Sequence, residues 1–182
     1  MPFCISEVRH REFPNKGAVS VALEAIGMRF DTLLGAFQTY ICPVSPRAGR
    51  GFQEDLAEDL ESYLEGSLRG DGLRPTRRPG DLVYSTALNQ HADFGIVHDA
   101  TRKRVLFEVV FSPNFEENLV KFQIGANEGT LATAVMVLPI DRRAINEAHT
   151  SMAEYEPVTK VVEVLRPSYP LLLIGLRGSH AA

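Results

Sequence analysis

Asp93 and Glu108 are the two residues whose types and spacing best suit chemistry. The polar turn 99–103 separates two β-branched and aromatic runs, 93–97 and 104–111, and this pattern predicts an antiparallel hairpin. Opposed residues in such a hairpin have position numbers with a constant sum, so Asp93 is expected approximately opposite Glu108. Two carboxylates this close repel each other, and the usual relief is an arginine or lysine, a shared proton or a hard divalent metal such as Mg²⁺.

Other interpretations of this acidic pair stay open. Either carboxylate could point to solvent or pair with Arg102 or Arg104, as exposed acids often do. Asp99 competes for the role of the first acid, but it falls in the predicted turn, where it opposes no strand residue. His91 and His98 are near in sequence, yet a histidine at a strand end is more often a hydrogen-bonded surface residue than a base.

Apolar spacing predicts the elements that position the pair. The apolar-rich stretch 21–37 predicts a helix, and leucines every four residues predict a second, amphipathic helix over 52–68 with an acidic outer face. Proline and glycine mark two loops, 42–51 and the basic 74–80. After the hairpin we expect these elements: a helix with Phe115, Leu119, Phe122 and Ala126 on one face, ended by Gly129; a buried strand over 131–140; a helix or loop over 142–152; a helix over 158–165; a buried strand over 171–176.

Length and composition set the broad class. The 182 residues, 45% hydrophobic and 23% charged, suffice for a buried core without disulfides, so we expect one α/β domain over 1–182. In it, 1–91 would be mainly helical with loops and 92–177 would form the core. The net charge of −4 gives no overall attraction to nucleic acid, and two cysteines without metal spacing indicate no zinc site. Without a signal-like or membrane-length apolar run, a cytoplasmic protein with no membrane partner is expected.

The order of these pieces resembles the PD-(D/E)XK nucleases and, more narrowly, the BglII/BamHI-like type II restriction endonucleases. The resemblance spans roughly residues 92–177 and depends on four segments: RVLFEVVF (104–111), NLVKF (118–122), AVMVLP (134–139) and PLLLIGL (170–176). It implies a restriction-endonuclease-like core, with a mixed central β-sheet flanked by helices. It also implies a metal-dependent, type II site-specific deoxyribonuclease-like hydrolase that acts on double-stranded DNA, usually as a homodimer.

Carried over to this chain, the resemblance makes Asp93 and Glu108 ligands of Mg²⁺, with Mn²⁺ as the alternative metal. The third family position falls on Val110, where relatives have lysine, glutamate or glutamine, and valine cannot orient water or bind a metal. Either another residue replaces the missing group or the centre is degenerate. Lys121, on the following helix, is our candidate catalytic lysine, the alternative being a solvated side chain.

The acidic helix offers a further metal ligand. Among Glu54, Glu58 and Glu61 we choose Glu61, although a run of charges is usually the solvent-exposed face of such a helix. DNA contact is assigned to arginines of the two loops, as phosphate ligands, the alternative being a solubilising role. These candidates are Arg47, Arg50, Arg74, Arg77 and Arg78.

Three hypotheses follow. The preferred one is a Mg²⁺-dependent endonuclease of double-stranded DNA. Its rival is a catalytically inactive protein with the nuclease fold that binds DNA or a protein partner, as Val110 and the acidic balance suggest. The third is an unrelated α/β domain in which the hairpin acids are surface residues.

Overall fold

The computed structural model describes residues 3–42, 50–70, 72–85, 88–111, 113–141 and 153–180. Its helices are α1 (Ala18–Glu24), α2 (Phe30–Gln38), α3 (Arg50–Ser67), α4 (Pro79–Leu82), α5 (Glu116–Asn127) and α6 (Tyr155–Leu165). Its strands are β1 (Phe3–Phe13), β2 (Ile41–Cys42), β3 (Leu73–Thr76), β4 (Val83–Ser85), β5 (Leu88–His91), β6 (Phe94–His98), β7 (Arg104–Val109), β8 (Leu131–Pro139) and β9 (Leu171–His180).

A mixed sheet of seven strands, in the order β2-β1-β9-β8-β7-β6-β3, organises these elements. Strands β7, β8 and β9 are parallel neighbours, whereas β6 and β1 pair antiparallel to β7 and β9. Six of the strands have four or more residues, and β2 adds two residues at one edge. The α/β class and the mixed sheet flanked by helices are therefore confirmed.

Helices cover the two faces of the sheet with separate apolar clusters. On one face, α1, α2 and α3 pack against residues such as Val105 and Phe107. On the other, α5 and α6 pack against Leu106 and Val110. Because neighbouring side chains of a strand point to opposite faces, Glu108 lies on the face of α5.

The expectation of one continuous helix over 21–37 is wrong. Gly27 adopts a φ of 75°, and the Met28 amide donates to the carbonyl of Leu23, so the chain turns and α2 starts afresh at Phe30. This is the usual way in which a glycine in the left-handed region ends a helix. The apolar content of 21–37 thus indicates the helices but not the turn between them.

The basic segment 74–80 is not the loop that we expected. Leu73–Thr76 pair with β6 as an edge strand, and Pro79–Leu82 form the short helix α4. Strand β1, which pairs antiparallel to β9, is a further element that the sequence did not predict. The described part of residues 1–91 thus contributes five strands as well as helices, so this half is not mainly helical with loops.

The remaining predicted elements stand close to their expected bounds: α3, the β6–β7 hairpin, α5, β8, α6 and β9. Gly129, with a φ of 72°, lies just beyond Glu128, the C-cap of α5, as predicted. The segments 43–49 and 142–152 lie outside the described residues. None of the helices in the described part of the chain is both long enough and apolar enough to cross a membrane.

Candidate functional site

The β6–β7 hairpin brings Asp93 and Glu108 together. Its register pairs Phe94 with Phe107 and Val97 with Arg104, so the next residues outward in the same register are Asp93 and Glu108. Asp99 lies in the turn and forms an ion pair with Arg74 across 3.5 Å. The structure therefore places the acidic pair as the sequence predicted and leaves Asp99 at the other end of the hairpin.

Three hydrogen bonds fix the pair. A hydrogen bond joins the two carboxyl groups, with Glu108 as donor and Asp93 as acceptor. The amide of Val109 donates to Oδ2 of Asp93 across 2.9 Å, and the hydroxyl of Tyr84 donates to Oε1 of Glu108. The acids are thus held by a backbone amide and by a side chain from β4.

Both acids hold a proton more tightly than free carboxyl groups do. Burial, reinforced by the negative charge of Asp93, raises the pKa of Glu108 to about 8. Water reaches part of the Asp93 side chain, yet the protein atoms crowded around its carboxylate still raise its pKa. One proton is therefore shared by the two acids near neutral pH, which is one of the forms of relief expected for opposed carboxylates.

Lys121 lies on the same side of the sheet as the pair. Its side chain is only 17% exposed, and its ammonium contacts Oδ1 of Asn118 at 3.2 Å and Glu117 at 3.3 Å. Its charge lowers the pKa of both Asp93 and Glu108, which requires that it be close to them. The alternative of a freely solvated lysine does not describe this half-buried side chain.

Glu61 approaches the pair from α3, on the other face of the sheet. It is buried, and its carboxylate accepts an ion pair of 2.8 Å from Arg77. Burial, followed by the charge of Asp93, raises its pKa to about 7. Glu61 is therefore within electrostatic reach of Asp93, but its direct partner is an arginine.

Val110 has no part in the acidic cluster. It is buried in the apolar cluster below α5, beside Leu106 and Leu119. A polar side chain at this position would be buried among apolar side chains without a partner, which is costly.

The two histidines near the hairpin, His91 and His98, form hydrogen bonds to residues close to them in the chain. The Nδ1 atom of His98 lies 2.7 Å from the hydroxyl of Thr101, and that of His91 lies 3.2 Å from the carbonyl of Ala92. These are the hydrogen-bonded positions expected for histidines at strand ends.

The candidate DNA-binding arginines divide into three groups. Arg74 pairs with Asp81 and Asp99, and Arg77 pairs with Glu61, so both are engaged within the protein. Arg78 is exposed beside them. Arg47 and the side chain of Arg50 lie outside the described residues.

The acidic pair fits a divalent cation in its donor chemistry. Mg²⁺ prefers oxygen ligands and commonly uses one or two protein carboxylates, keeping water or phosphate oxygens as its other ligands. Asp93 and Glu108 provide two such groups. The proton that they share reduces the repulsion between them, and a bound cation would reduce the same repulsion. Within the described part of the chain, no three acidic, histidine or cysteine side chains are arranged to hold a metal together.

Tyr84 is the site residue that the sequence did not reveal. It lies on β4, a strand of three residues that pairs with β5 outside the main sheet. The guanidinium of Arg104 holds this strand by donating to the carbonyl of Val83 across 2.6 Å. A tyrosine in a short segment before the hairpin offers no periodic signal, so only the tertiary structure brings it to Glu108.

Comparisons with known proteins leave the family open: the chain matches no family model, and no curated protein matches it significantly.

Proposed function

We propose that the chain is a Mg²⁺-dependent endonuclease that hydrolyses phosphodiester bonds of double-stranded DNA, in the manner of type II restriction endonucleases. The observation that carries the proposal is the hydrogen-bonded pair Asp93 and Glu108 at the end of a hairpin beside a parallel strand. A partly buried lysine, Lys121, next to the same pair adds to it.

In this proposal Asp93 and Glu108 hold the metal, and Glu61 remains a further candidate ligand from α3. The bound cation supplies Lewis-acid polarisation of the scissile phosphate and lowers the pKa of a water molecule. Glu108 would have to release its proton to solvent before its carboxylate could hold a cation. The Val109 amide keeps the Asp93 carboxylate oriented throughout.

Lys121 takes the place of the polar side chain that Val110 lacks. Its ammonium lies close enough to lower the pKa of both acids, so it also stabilises negative charge that develops on a phosphate held there. Its hydrogen bond to Asn118 limits how far it can move.

Phosphate contacts away from the reaction come from the arginines that we chose from the sequence. Arg78 is exposed and ready for such a contact, whereas Arg77 must exchange Glu61 for phosphate. Acidic overall charge makes these local contacts the source of DNA affinity, which should fall as salt rises.

We extend the proposal to a homodimer in which a second copy covers the outer face of α5 and α6. An apolar groove between these helices includes Val120, Val161 and Leu165, all accessible to solvent. Glu116 and Arg166 line the same groove. Glu116 and Arg166 thus give the groove one charge of each sign, as a self-complementary two-fold interface requires.

The second candidate is a catalytically inactive protein of the same fold. Val110 favours it, and so does the hydrogen bond from Tyr84, which satisfies one oxygen of Glu108 without any metal. Such a protein would bind DNA or a protein partner and cleave nothing.

Metal titration and DNA cleavage test the proposal together. Calorimetry with Mg²⁺ and Mn²⁺ is run on the wild type and on Glu108→Gln, beside plasmid cleavage with varied double-stranded substrates. We expect binding and cleavage in the wild type and neither in the variant. Metal binding without cleavage of any substrate favours the inactive candidate, and a wild type that binds no cation overturns the proposed function.

A further inference from the structure

Tyr84 is bound to Glu108 in a way that limits what this carboxylate can do. The tyrosine is fully buried, with 0% of its surface exposed, and its hydroxyl donates to Oε1 of Glu108. Glu108 itself is 6% exposed. The buried Tyr84 hydroxyl therefore occupies Oε1 of the carboxylate, which leaves Oε2 as the oxygen for another ligand.

The tyrosine ring has little freedom to leave this position. Phe122 of α5 packs edge-on against it, with ring centroids 5.8 Å apart. Arg104 anchors the strand that carries it through the carbonyls of Asp81 and Val83, and through the hydroxyl of Thr130. Tyr84 thus fixes the orientation of Glu108 from a rigid support, as residues that orient metal ligands commonly do.

The number of available oxygens matters for the choice of cation. Ca²⁺ takes six to eight oxygen ligands and often binds a glutamate through both oxygens, whereas Mg²⁺ takes six ligands at shorter distances in a strict octahedron. A glutamate restricted to one oxygen therefore costs Ca²⁺ more than it costs Mg²⁺.

We propose that Tyr84 is a specificity-determining residue that restricts Glu108 to one ligand oxygen and so favours Mg²⁺ over Ca²⁺ at the acidic pair. This inference rests on the proposed function, because it assumes that Asp93 and Glu108 hold a divalent cation. It assigns to Tyr84 the role of a positioning residue, which acts through Glu108 and does not touch the cation.

Tyr169 offers a matched control for removal of the hydroxyl. It is also a buried tyrosine, it also contacts the ring of Phe122, and its hydroxyl donates across 3.1 Å to the backbone carbonyl of Leu119. Tyr169→Phe therefore deletes a buried hydroxyl from the same cluster without freeing an oxygen of either acid.

The test is calorimetric titration of Mg²⁺ and of Ca²⁺ into the wild type, Tyr84→Phe and Tyr169→Phe, with thermal unfolding recorded for each. We expect the preference for Mg²⁺ over Ca²⁺ to fall about tenfold in Tyr84→Phe, the low end of the effects seen for residues that orient ligands, and to stay unchanged in Tyr169→Phe. If Tyr84→Phe does not fold, Tyr84→Met provides a second side chain without a hydroxyl.

The outcomes separate the two proposals. An unchanged preference in Tyr84→Phe, or an equal change in Tyr169→Phe, overturns the role of Tyr84 and leaves the metal site standing. A wild type that binds neither cation overturns the proposed function, and the inference falls with it.

Discussion

Glu108 and Asp93 are joined by a hydrogen bond at the end of the β6–β7 hairpin, one register step beyond the last paired residues of its strands. Neighbouring acids in a protein interior are costly when both are charged, so the pair retains a proton that isolated carboxyl groups would release. Substitutions at and around the pair can therefore be tested separately for their effects on stability, on metal binding and on DNA cleavage.

Stability should fall as pH rises. The pKa values of Glu108 and Glu61 are raised from 4.5 to about 8 and about 7. A raised acid pKa stabilises the folded state fully below the unfolded value and loses that contribution as pH rises through the folded value. Without metal, we expect the free energy of unfolding to drop by on the order of 2 to 4 kcal/mol between pH 5 and pH 9.

Urea denaturation at pH 5, 7 and 9 measures this dependence. Glu108→Gln is the control, since a neutral amide at this position cannot titrate; it should remove the Glu108 part of the pH dependence and leave the part that comes from Glu61. A wild-type stability that stays level or increases towards pH 9 would contradict the protonated pair.

Asp93 and Asp99 can be separated by matched substitutions. Asp93→Asn removes the charge next to Glu108, whereas Asp99→Asn removes a charge in the turn that pairs with Arg74. We expect the first variant to lose Mg²⁺ binding and cleavage and the second to keep both, measured by calorimetry and plasmid nicking. The reverse result would move the metal ligand to Asp99 and the site to the other end of the hairpin.

Lys121→Met should separate metal binding from catalysis. Methionine keeps the apolar stem of the lysine but removes the charge beside the acids. We expect cleavage to slow about 10²-fold, as for loss of one stabilising charge at a transition state, with Mg²⁺ affinity maintained. Lys160→Met, on the exposed face of α6, is the control that should change neither. Equal cleavage rates for Lys121→Met and Lys160→Met would show that Lys121 has no part in catalysis.

Gly95 is required by the packing of the hairpin. A Cβ atom there would meet a methyl of Leu82 at 2.5 Å and the carbonyl oxygen of Val105 at 3.0 Å. We expect Gly95→Ala to lower the free energy of unfolding by about 1 to 3 kcal/mol, the usual cost of overpacking. Gly35→Ala, in open space on α2, should instead stabilise by about 0.5 to 1 kcal/mol. Thermal denaturation compares the two, and a neutral Gly95→Ala would mean that β6 can shift.

Val120 tests the dimer. It is 60% exposed on α5, and Val21 on α1 is a valine of similar exposure, 68%, on a different helix. We expect Val120→Glu to convert the wild-type dimer to a monomer in sedimentation equilibrium, since it buries a charge in an apolar interface, and Val21→Glu to leave it intact. A monomeric wild type, or equal effects of the two variants, would remove this face as the contact between copies.

Much of the fold is visible in the sequence wherever burial is periodic or continuous. The leucines of α3, the apolar runs of β8 and β9, and Gly129 after α5 all predicted their elements. The acidic pair was predictable too, because hairpin register follows from the position of a turn. The spacing of residues along the chain was therefore enough to predict the core strands and the opposition of Asp93 and Glu108.

Tertiary context decided the rest. Strand β1 was not predicted because a bulge between Ile5 and Glu7 breaks its alternation and because most of residues 7–12 are charged. The edge strand at Leu73–Thr76 is short and includes a proline, so it resembled a loop. Tyr84 and the partly buried position of Lys121 depend on contacts between distant segments, which no pattern along the chain encodes.

The pairing of β1 with β9 also governs the order in which the molecule can be assembled during synthesis. The first strand runs from Phe3 to Phe13 and its neighbour in the sheet from Leu171 to His180, so β1 leaves the ribosome long before its partner exists. Until then one long edge of β1 lacks hydrogen bonds, and β8 lacks its neighbour on that side. Completion of the sheet therefore has to wait for the synthesis of β9, and it closes the sheet around a hairpin that can already have formed.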